Sequence, residues 1–332
     1  MILVTGGTGL VGAHLLVHIL SHSDENQSMV RATYRTADTI DKTKSLFDRY
    51  HKTILFDRIE WVQADIINIP ALEIAFKGIT LVYHCAAFIS FDSKDEEKLR
   101  KINIEGTANI VNFAIAKGIK KLCHISSTAA LGDVLSTETI ITEAAEWNPE
   151  KKHSDYAISK YGAEMEVWRG QQEGLDVIIV NPGVIVGPGF EDQGSGELIK
   201  KVEKGMPYYT LGTTGFIAVT DVATIVYNLM NSTIKNERYT LIAQNIIYRD
   251  FLNTVANAIG VKAPKREASP FLIEIAWRID AVVSWILNRK RKLTQAVAVA
   301  SYSTNMYSNE KIKTALDYQF LDVHTYIKKS FS

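Results

Sequence analysis

Tyr156 and Lys160 stand four residues apart in the stretch YAISK. On a helix that spacing puts a phenol and an ammonium on one face, where both can address the same atom. Upstream, CHISSTAALG brings Ser126 and Ser127 to the end of an apolar run that reads as a strand, Lys121–Ile125. At the start, MILVTGGTGLVGAHLL sets Gly6, Gly9 and Gly12 between the β-branched run Ile2–Val4 and a helical pattern with apolar residues at Leu10, Val11, Leu15, Leu16, Ile19 and Leu20. A strand feeding a helix through such a turn is a phosphate cradle. Glycine permits the tight turn and close ligand approach, and the helix start offers unpaired N–H groups with partial positive charge. A phenol, an ammonium and a hydroxyl beside a dinucleotide form a proton-transfer set for carbonyl/alcohol redox chemistry. Each element is common alone, and the glycines are spaced G-x-x-G-x-x-G rather than G-x-G-x-x-G. Their weight lies in occurring together.

The elements that must position these groups are legible as an alternation. Strands are expected at Met29–Tyr34, Ile59–Val62, Thr80–His84, Lys121–Ile125 and Val177–Val180, with helices between them, notably Lys94–Lys117 and Asp155–Gln172. This predicts an α/β fold, a Rossmann-type doubly wound parallel sheet with right-handed crossovers. Ligands then bind at the carboxyl ends of the strands, near the reversal of strand order. After NPGVIVGPG (Asn181–Gly189) the pattern breaks. Residues 1–180 read as the dinucleotide-binding domain, its sheet completed by a return of the chain at about 217–245, through Tyr239–Ala243. Residues 181–332 read mainly as a smaller C-terminal substrate-binding lobe.

Composition narrows the class. Of 332 residues 46% are hydrophobic, enough for a large core, and Lys+Arg and Asp+Glu both total 37, giving no global bias toward nucleic acid or an anionic membrane. Cys85 and Cys123 each end an apolar stretch, which implies no disulfide framework and suits a reducing cytoplasm. A first strand at Ile2 leaves no room for a cleavable leader. PFLIEIAWRIDAVVSWIL (Pro270–Leu287), followed by NRKRK, is interrupted by Glu274, Arg278 and Asp280 and is too charged to span a bilayer. It reads as a lobe helix packing its apolar face over a pocket, with peripheral membrane contact through 270–292 as the second reading. His14, His18 and His22 suggest a metal ladder but read as a solvated stripe, and no metal is expected. NRKRK reads as a solvated helix end. Trp277, Trp285, Tyr208, Tyr209 and Phe216 are candidates to line an apolar pocket.

With these motifs in hand, the chain resembles the extended short-chain dehydrogenases/reductases, which include NAD-dependent epimerase/dehydratases and dihydroflavonol-reductase-like enzymes. The matching stretches are TGGTGLVG (5–12), the turn at Asp65, HCAA (84–87), INIEGT (102–107), ISSTAALG (125–132), YAISK, NPGVIVGPG and AVTDVA (218–223). The resemblance implies that Gly6, Gly9 and Gly12 hold the cofactor pyrophosphate, with backbone contacts from Thr8 and Leu10. It sets Asp65 and Ile66 against the adenine, and Ala86 and Ala87 against ribose and phosphates. Asn181, Pro182 and Val184 flank the nicotinamide. Counting back from Gly132 selects Ser127 as the catalytic hydroxyl, with Thr128 its less favoured neighbour. Tyr156 is then the acid/base, Lys160 its activator and ribose anchor, and Asn103 joins the catalytic set through a supporting helix. Asn68 replaces the second acidic residue after Asp65, and Leu131 stands where an aromatic residue is usual.

The strand MVRATYR ends in Arg35, with no acid until Asp38, which reads as a helix start. An NAD site calls for an acid there, whereas a guanidinium suits a 2′-phosphate. The cofactor expected is NADP, held by Arg35 with Arg31 or Lys42 as helpers; NAD is the alternative. Three activities compete: an NADP-dependent ketoreductase acting on a small, largely apolar carbonyl or alcohol, a nucleotide-sugar epimerase or dehydratase, and a regulator without turnover. An intact Ser127, Tyr156 and Lys160 weighs against the third. The second needs cations for a diphosphate, and the lobe offers few besides Arg238, Arg249 and Arg266. The ketoreductase is favoured, as a cytoplasmic enzyme, with a homodimer one option.

Overall fold

The computed structural model describes residues 1–23, 30–133, 139–289, 291 and 293–332. Seven strands form its main sheet: β1 (Ile2–Thr5), β2 (Val30–Tyr34), β3 (Ile59–Gln63), β4 (Leu81–His84), β5 (Lys121–Ile125), β6 (Val177–Pro182) and β7 (Glu237–Leu241), in the order β7-β6-β5-β4-β1-β2-β3. All six pairings are parallel. Parallel strands covered on both faces must be apolar throughout rather than alternating, and VIIV of β6 is fully buried. The chain runs outward from β1 to β3, then returns to β4 on the other side of β1. The carboxyl ends of β1 and β4 therefore border the crevice at which such sheets bind ligands. Of the expected strand starts, Met29 lies outside the described residues.

Helix α1 (Leu10–His22) packs with Val219–Asn231 on one face of the sheet, through Leu15, Leu16 and Ile19 against Val222, Ile225 and Leu229. On the other face lie α2 (Gly106–Ala116) and α3 (Asp155–Gln172). A Cβ on Gly170 would stand 2.5 Å from Val111 Cγ1, so this glycine lets α2 and α3 approach closely. The lobe has its own three-stranded sheet (Val184–Val186, Thr213–Ala218 and Gln244–Ile247) and a separate core around Phe216, stacked on Phe251.

Several expectations are corrected here. Lys94–Lys117 is not one regular helix: a π-helical turn at Arg100–Glu105 separates the short helix Glu96–Leu99 from α2. The histidine stripe is not uniformly solvated. His14 is buried between Tyr50 and Phe190, its Nδ1 2.8 Å from Leu10 O, and burial lowers its pKa to about 4. No group of metal-ligating residues occurs among the described residues. The five aromatics do not converge on one pocket: Phe216 is core, Trp277 donates to Glu274, and Trp285 is 79% exposed. Pro270–Ile286 leaves most of its apolar face exposed, and only its first turns, with Phe271 and Ile273, border a groove.

Arg31 is the clearest correction. It is the second residue of β2, so it sits near the amino end of the strand, away from the ligand edge. Its guanidinium pairs with Glu60 at 2.9 Å and donates to the carbonyls of Ala75 (2.9 Å) and Lys77 (2.8 Å). A group committed to structure in this way is removed from the cofactor site. Arg31→Met should lower stability by about 2 kcal/mol, because Glu60 and the carbonyls lose their donor while Glu60 keeps some water. NADPH and NADH affinities should stay unchanged. Urea unfolding with parallel cofactor titrations checks both halves.

Candidate active site

Gly6, Gly9 and Gly12 serve different ends. Gly6 has φ +68°, and a Cβ there would lie 2.7 Å from Ala86 N; one on Gly12 would lie 2.2 Å from Gly6 O. Those two close the turn. Gly9 meets nothing nearer than Gly6 O at 3.5 Å, and it caps α1 without any side-chain hydrogen bond. The first N–H groups of a 13-residue helix thus open beside β4 at the sheet's ligand edge, which fits a pyrophosphate. Thr8 is half-buried in this turn and Leu10 begins the helix. Ala86 is anchored by its N–H to Thr5 Oγ1 at 3.3 Å, and Ala87 beside it is exposed.

The adenine end lies past β2 and β3. Arg35 is the first residue beyond β2 and is exposed; no hydrogen bond engages its guanidinium among the described residues, and only its carbonyl is held, by Gln63 Nε2 at 3.0 Å. Lys42 pairs with Asp192 at 2.6 Å and is itself accessible. Asp65 shapes the turn after β3 by accepting Ile67 N at 3.2 Å. Ile66 points into the core, where Gly106 leaves it room, and its carbonyl accepts Asn109 Nδ2 at 3.0 Å. Asn68 caps Ile69–Ala75, which explains an amide at that position.

The central groups meet where β5 ends. Ser127 caps the turn Thr128–Ala130, its Oγ accepting Ala129 N at 3.1 Å. Ser154 caps α3 by accepting Ala157 N at 3.2 Å, which puts Tyr156 in the first turn and Lys160 one turn on. The Tyr156 phenol lies near enough to Ser127 for the serine to act on its titration. Burial raises the phenol above its ordinary pKa, and the serine offsets part of that. Lys160 is 1% exposed and donates to Ile125 O at 2.9 Å. Burial drags its pKa down to about 8, while Glu164 and Cys85 favour the charge. A protonated phenol beside a hydroxyl, with an ammonium one helical turn away, is an arrangement that can supply a proton to a developing oxyanion.

Asn103 does not join this trio. It sits in the π-helical turn, exchanging hydrogen bonds with Phe88 N and O (2.8 and 2.9 Å) and donating to Ser159 Oγ at 2.9 Å. Its place is that of a positioning residue, tying the segment after β4 to α3. Asn181 likewise holds the site from behind, donating to Ser127 O at 2.9 Å; Pro182 is buried next to it and Val184 is half-buried.

Glu164 and Tyr307 are not marked by the sequence, and Arg238, read there as a lobe cation, has another place. Glu164 is a fully buried carboxylate one turn past Lys160, meeting Arg238 at 3.2 Å and the amide of Asn181. Its spacing from Lys160 was visible, but its burial was not. Arg238 comes from β7, and its role depends on strand order. Tyr307 lies near Thr128 and Thr214, and no local pattern marks it.

A sequence model of the NAD dependent epimerase/dehydratase family matches residues 2–241. The chain belongs to that family. It is an NAD(P)-dependent enzyme of the extended short-chain dehydrogenase/reductase type. Among its relatives, a putative dihydroflavonol 4-reductase of Synechocystis sp. is 32% identical over 288 residues, covering 85% of this chain and 79% of that one. A UDP-glucose 4-epimerase of Vibrio cholerae is 30% identical over 214 residues, covering 62% and 58%. The crystal structure of gox2253 superposes with a TM-score of 0.79 at 25% identity, covering 99% of this chain and 96% of that one. A UDP-glucuronic acid 4-epimerase from Bacillus cereus, at 17% identity and a TM-score of 0.75 over 99% and 97%, shares the fold.

Burial of Lys160 has a measurable cost. Its folded pKa of about 8 lies below the ordinary 10.5, so between those values the unfolded chain holds the proton more firmly. Folding carries the penalty in full below pH 8 and sheds it as pH rises to 10.5. The stability of the cofactor-free protein minus that of Lys160→Met should therefore climb over that window, by on the order of 3 kcal/mol. Denaturant unfolding at a series of pH values reads it directly.

Proposed function

We propose that this family member is an NADP-dependent carbonyl reductase acting on small, largely apolar substrates. The observation that carries the reading is the protonated Tyr156 phenol beside Ser127, backed by the buried Lys160, which donates to Ile125 O at 2.9 Å. Bound NADPH supplies the hydride. Tyr156 donates the proton to the carbonyl oxygen, Ser127 donates a second hydrogen bond to the same oxygen, and Lys160 supports the phenolate that remains and anchors the ribose. Gly6, Gly9 and Gly12, with Thr8, Leu10, Ala86 and Ala87, cradle the phosphates. Asp65 and the Ile66 backbone border the adenine, and Asn181, Pro182 and Val184 border the nicotinamide.

The choice of substrate rests on the cations available. A nucleotide-sugar epimerase is the second reading, favoured by the Vibrio cholerae relative. It needs a diphosphate clamp. Arg238 is turned inward to Glu164, and Arg249 pairs with Asp250 at 3.0 Å, which leaves Arg266 of the three lobe arginines considered. The apolar neighbour of Tyr156 is Phe91, which meets its ring edge-on at 5.4 Å, and Leu131, four residues past Ser127, fills a buried position. The choice of NADP over NAD rests on Arg35, an exposed guanidinium standing where an NAD site carries an acid.

Tyr156→Phe should cut carbonyl reduction by about 100-fold or more, since only the proton donor is lost, with NADPH affinity within a few-fold of wild type. Steady-state kinetics and cofactor titration test this; retained activity refutes it. Arg35→Ala should weaken NADPH binding by about tenfold and leave NADH binding unchanged. Wild-type protein that binds NADH at least as tightly as NADPH, indifferent to the substitution, would refute the cofactor assignment.

A further inference from the structure

The helix at Pro270–Ile286, here α4, is built inside out. Ser269 caps it by accepting Leu272 N, and Pro270 occupies its first turn. At helical spacing Phe271, Leu272, Ile275, Ile279, Val282 and Ile286 fall in one stripe roughly 100° wide. Every one of them is exposed, Phe271 to 72% and Ile286 to 66%, and Trp285 stands at the edge of the stripe at 79%. The opposite side faces the protein. There Ser284 is the one buried residue of the helix, and Asp280 receives Arg289 at 2.7 Å and Leu293 N at 3.0 Å. A helix that meets water normally hides its apolar stripe and shows its charges. Here the acid is inside and the apolar stripe outside. The patch continues onto Gln295–Ala300 through Val299, 58% exposed, across an apolar groove of about 490 Å³.

We propose that this face is a membrane-docking surface whose partner is a bilayer bearing anionic headgroups, with α4 lying in the interface. The helix cannot cross: among the described residues no helix is long and apolar enough. Its charge balance selects the partner. From 270 to 292 the sequence sets Glu274 and Asp280 against Arg278, Arg289, Lys290, Arg291 and Lys292, with four of the five bases just past the end of the helix. An apolar stripe that ends in a basic segment suits acyl chains beneath phosphate headgroups. A second copy of the chain suits it less, because two-fold pairing presents the same patch to itself and brings like surpluses together. Trp285, near the basic end, has the amphipathic ring favoured at headgroup depth. Beyond the groove the chain runs on to Tyr307, a neighbour of Thr128 next to Ser127, so the docked element is joined to a segment that reaches the candidate site. The proposal does not rest on the reductase reading.

Flotation of the full chain with vesicles tests it, using phosphatidylcholine alone and phosphatidylcholine with an equal share of phosphatidylglycerol. Wild-type protein should float with the anionic vesicles, by about tenfold more than with the neutral ones, and high salt should reduce the difference. The triple variant Ile275→Ser, Ile279→Ser, Val282→Ser should stay at the bottom of the gradient with an unchanged circular dichroism spectrum. If that variant fails to fold, brominated lipid provides the check: it should quench wild-type tryptophan fluorescence and lose that quenching in Trp285→Ser. Absence of wild-type flotation, equal flotation by wild type and triple variant, or a wild-type dimer that the triple variant dissolves without any vesicle binding would each overturn the proposal.

Discussion

An ammonium sealed beneath the carboxyl edge of a parallel sheet constrains much of this molecule. Lys160 can remain there only with its Nζ hydrogen-bonded to Ile125 O and with a carboxylate close by. An isolated buried charge would lose its proton instead. That carboxylate, Glu164, is itself buried and must be held by Arg238 and Asn181. The requirement extends outward from one side chain. β7 has to pair with β6 so that Arg238 arrives, and Asn181 has to end β6 so that it can grip both Glu164 and the Ser127 carbonyl. The serine and the tyrosine that meet at the open edge are thus set by polar groups behind them. Two more ionisable rings under the sheet edge, His84 and His124, are kept neutral by burial. Among the buried groups in this region the positive charge is concentrated on Lys160.

What was legible in the sequence follows from the range of each signal. The strand–turn–helix at Gly6–Gly12 is local, since the close contacts of Gly6 and Gly12 lie within that turn or on the neighbouring strand. Tyr156 and Lys160 share a helix face, which spacing alone reveals. The parallel sheet was legible because buried strands need continuous apolar runs. Arg31 misled because its charge type is correct for a phosphate while its place in β2 is wrong. Only pairing with β3 at Glu60 shows which end of the strand it serves. Asn103 could be placed on a supporting helix, yet the π-helical turn that aims its amide at Phe88 and Ser159 has no simple sequence marker. His14 looked solvated because polarity was read without Tyr50 and Phe190, which come from elsewhere in the chain to cover it.

The lobe obeys different physics from the sheet. Its core around Phe216 and Phe251 is small and orthodox, whereas the helix pair beyond residue 269 leaves apolar surface in water. Such surface is costly unless something else covers it. The two halves of the chain therefore handle polarity in opposite ways. One buries an ammonium close to a carboxylate, and the other exposes an apolar stripe bordered by bases. Both depart from the ordinary distribution of polar and apolar groups.

The most direct measurement of the central claim follows the hydride. The protein is supplied with NADPH deuterated at C4 and a small apolar ketone, and the alcohol is analysed by mass spectrometry. The account predicts one deuterium on the carbinol carbon for each NADPH consumed, and loss of that transfer in Tyr156→Phe. Inversion of a nucleotide sugar without net cofactor consumption, and with no deuterium delivered to any ketone, would contradict it.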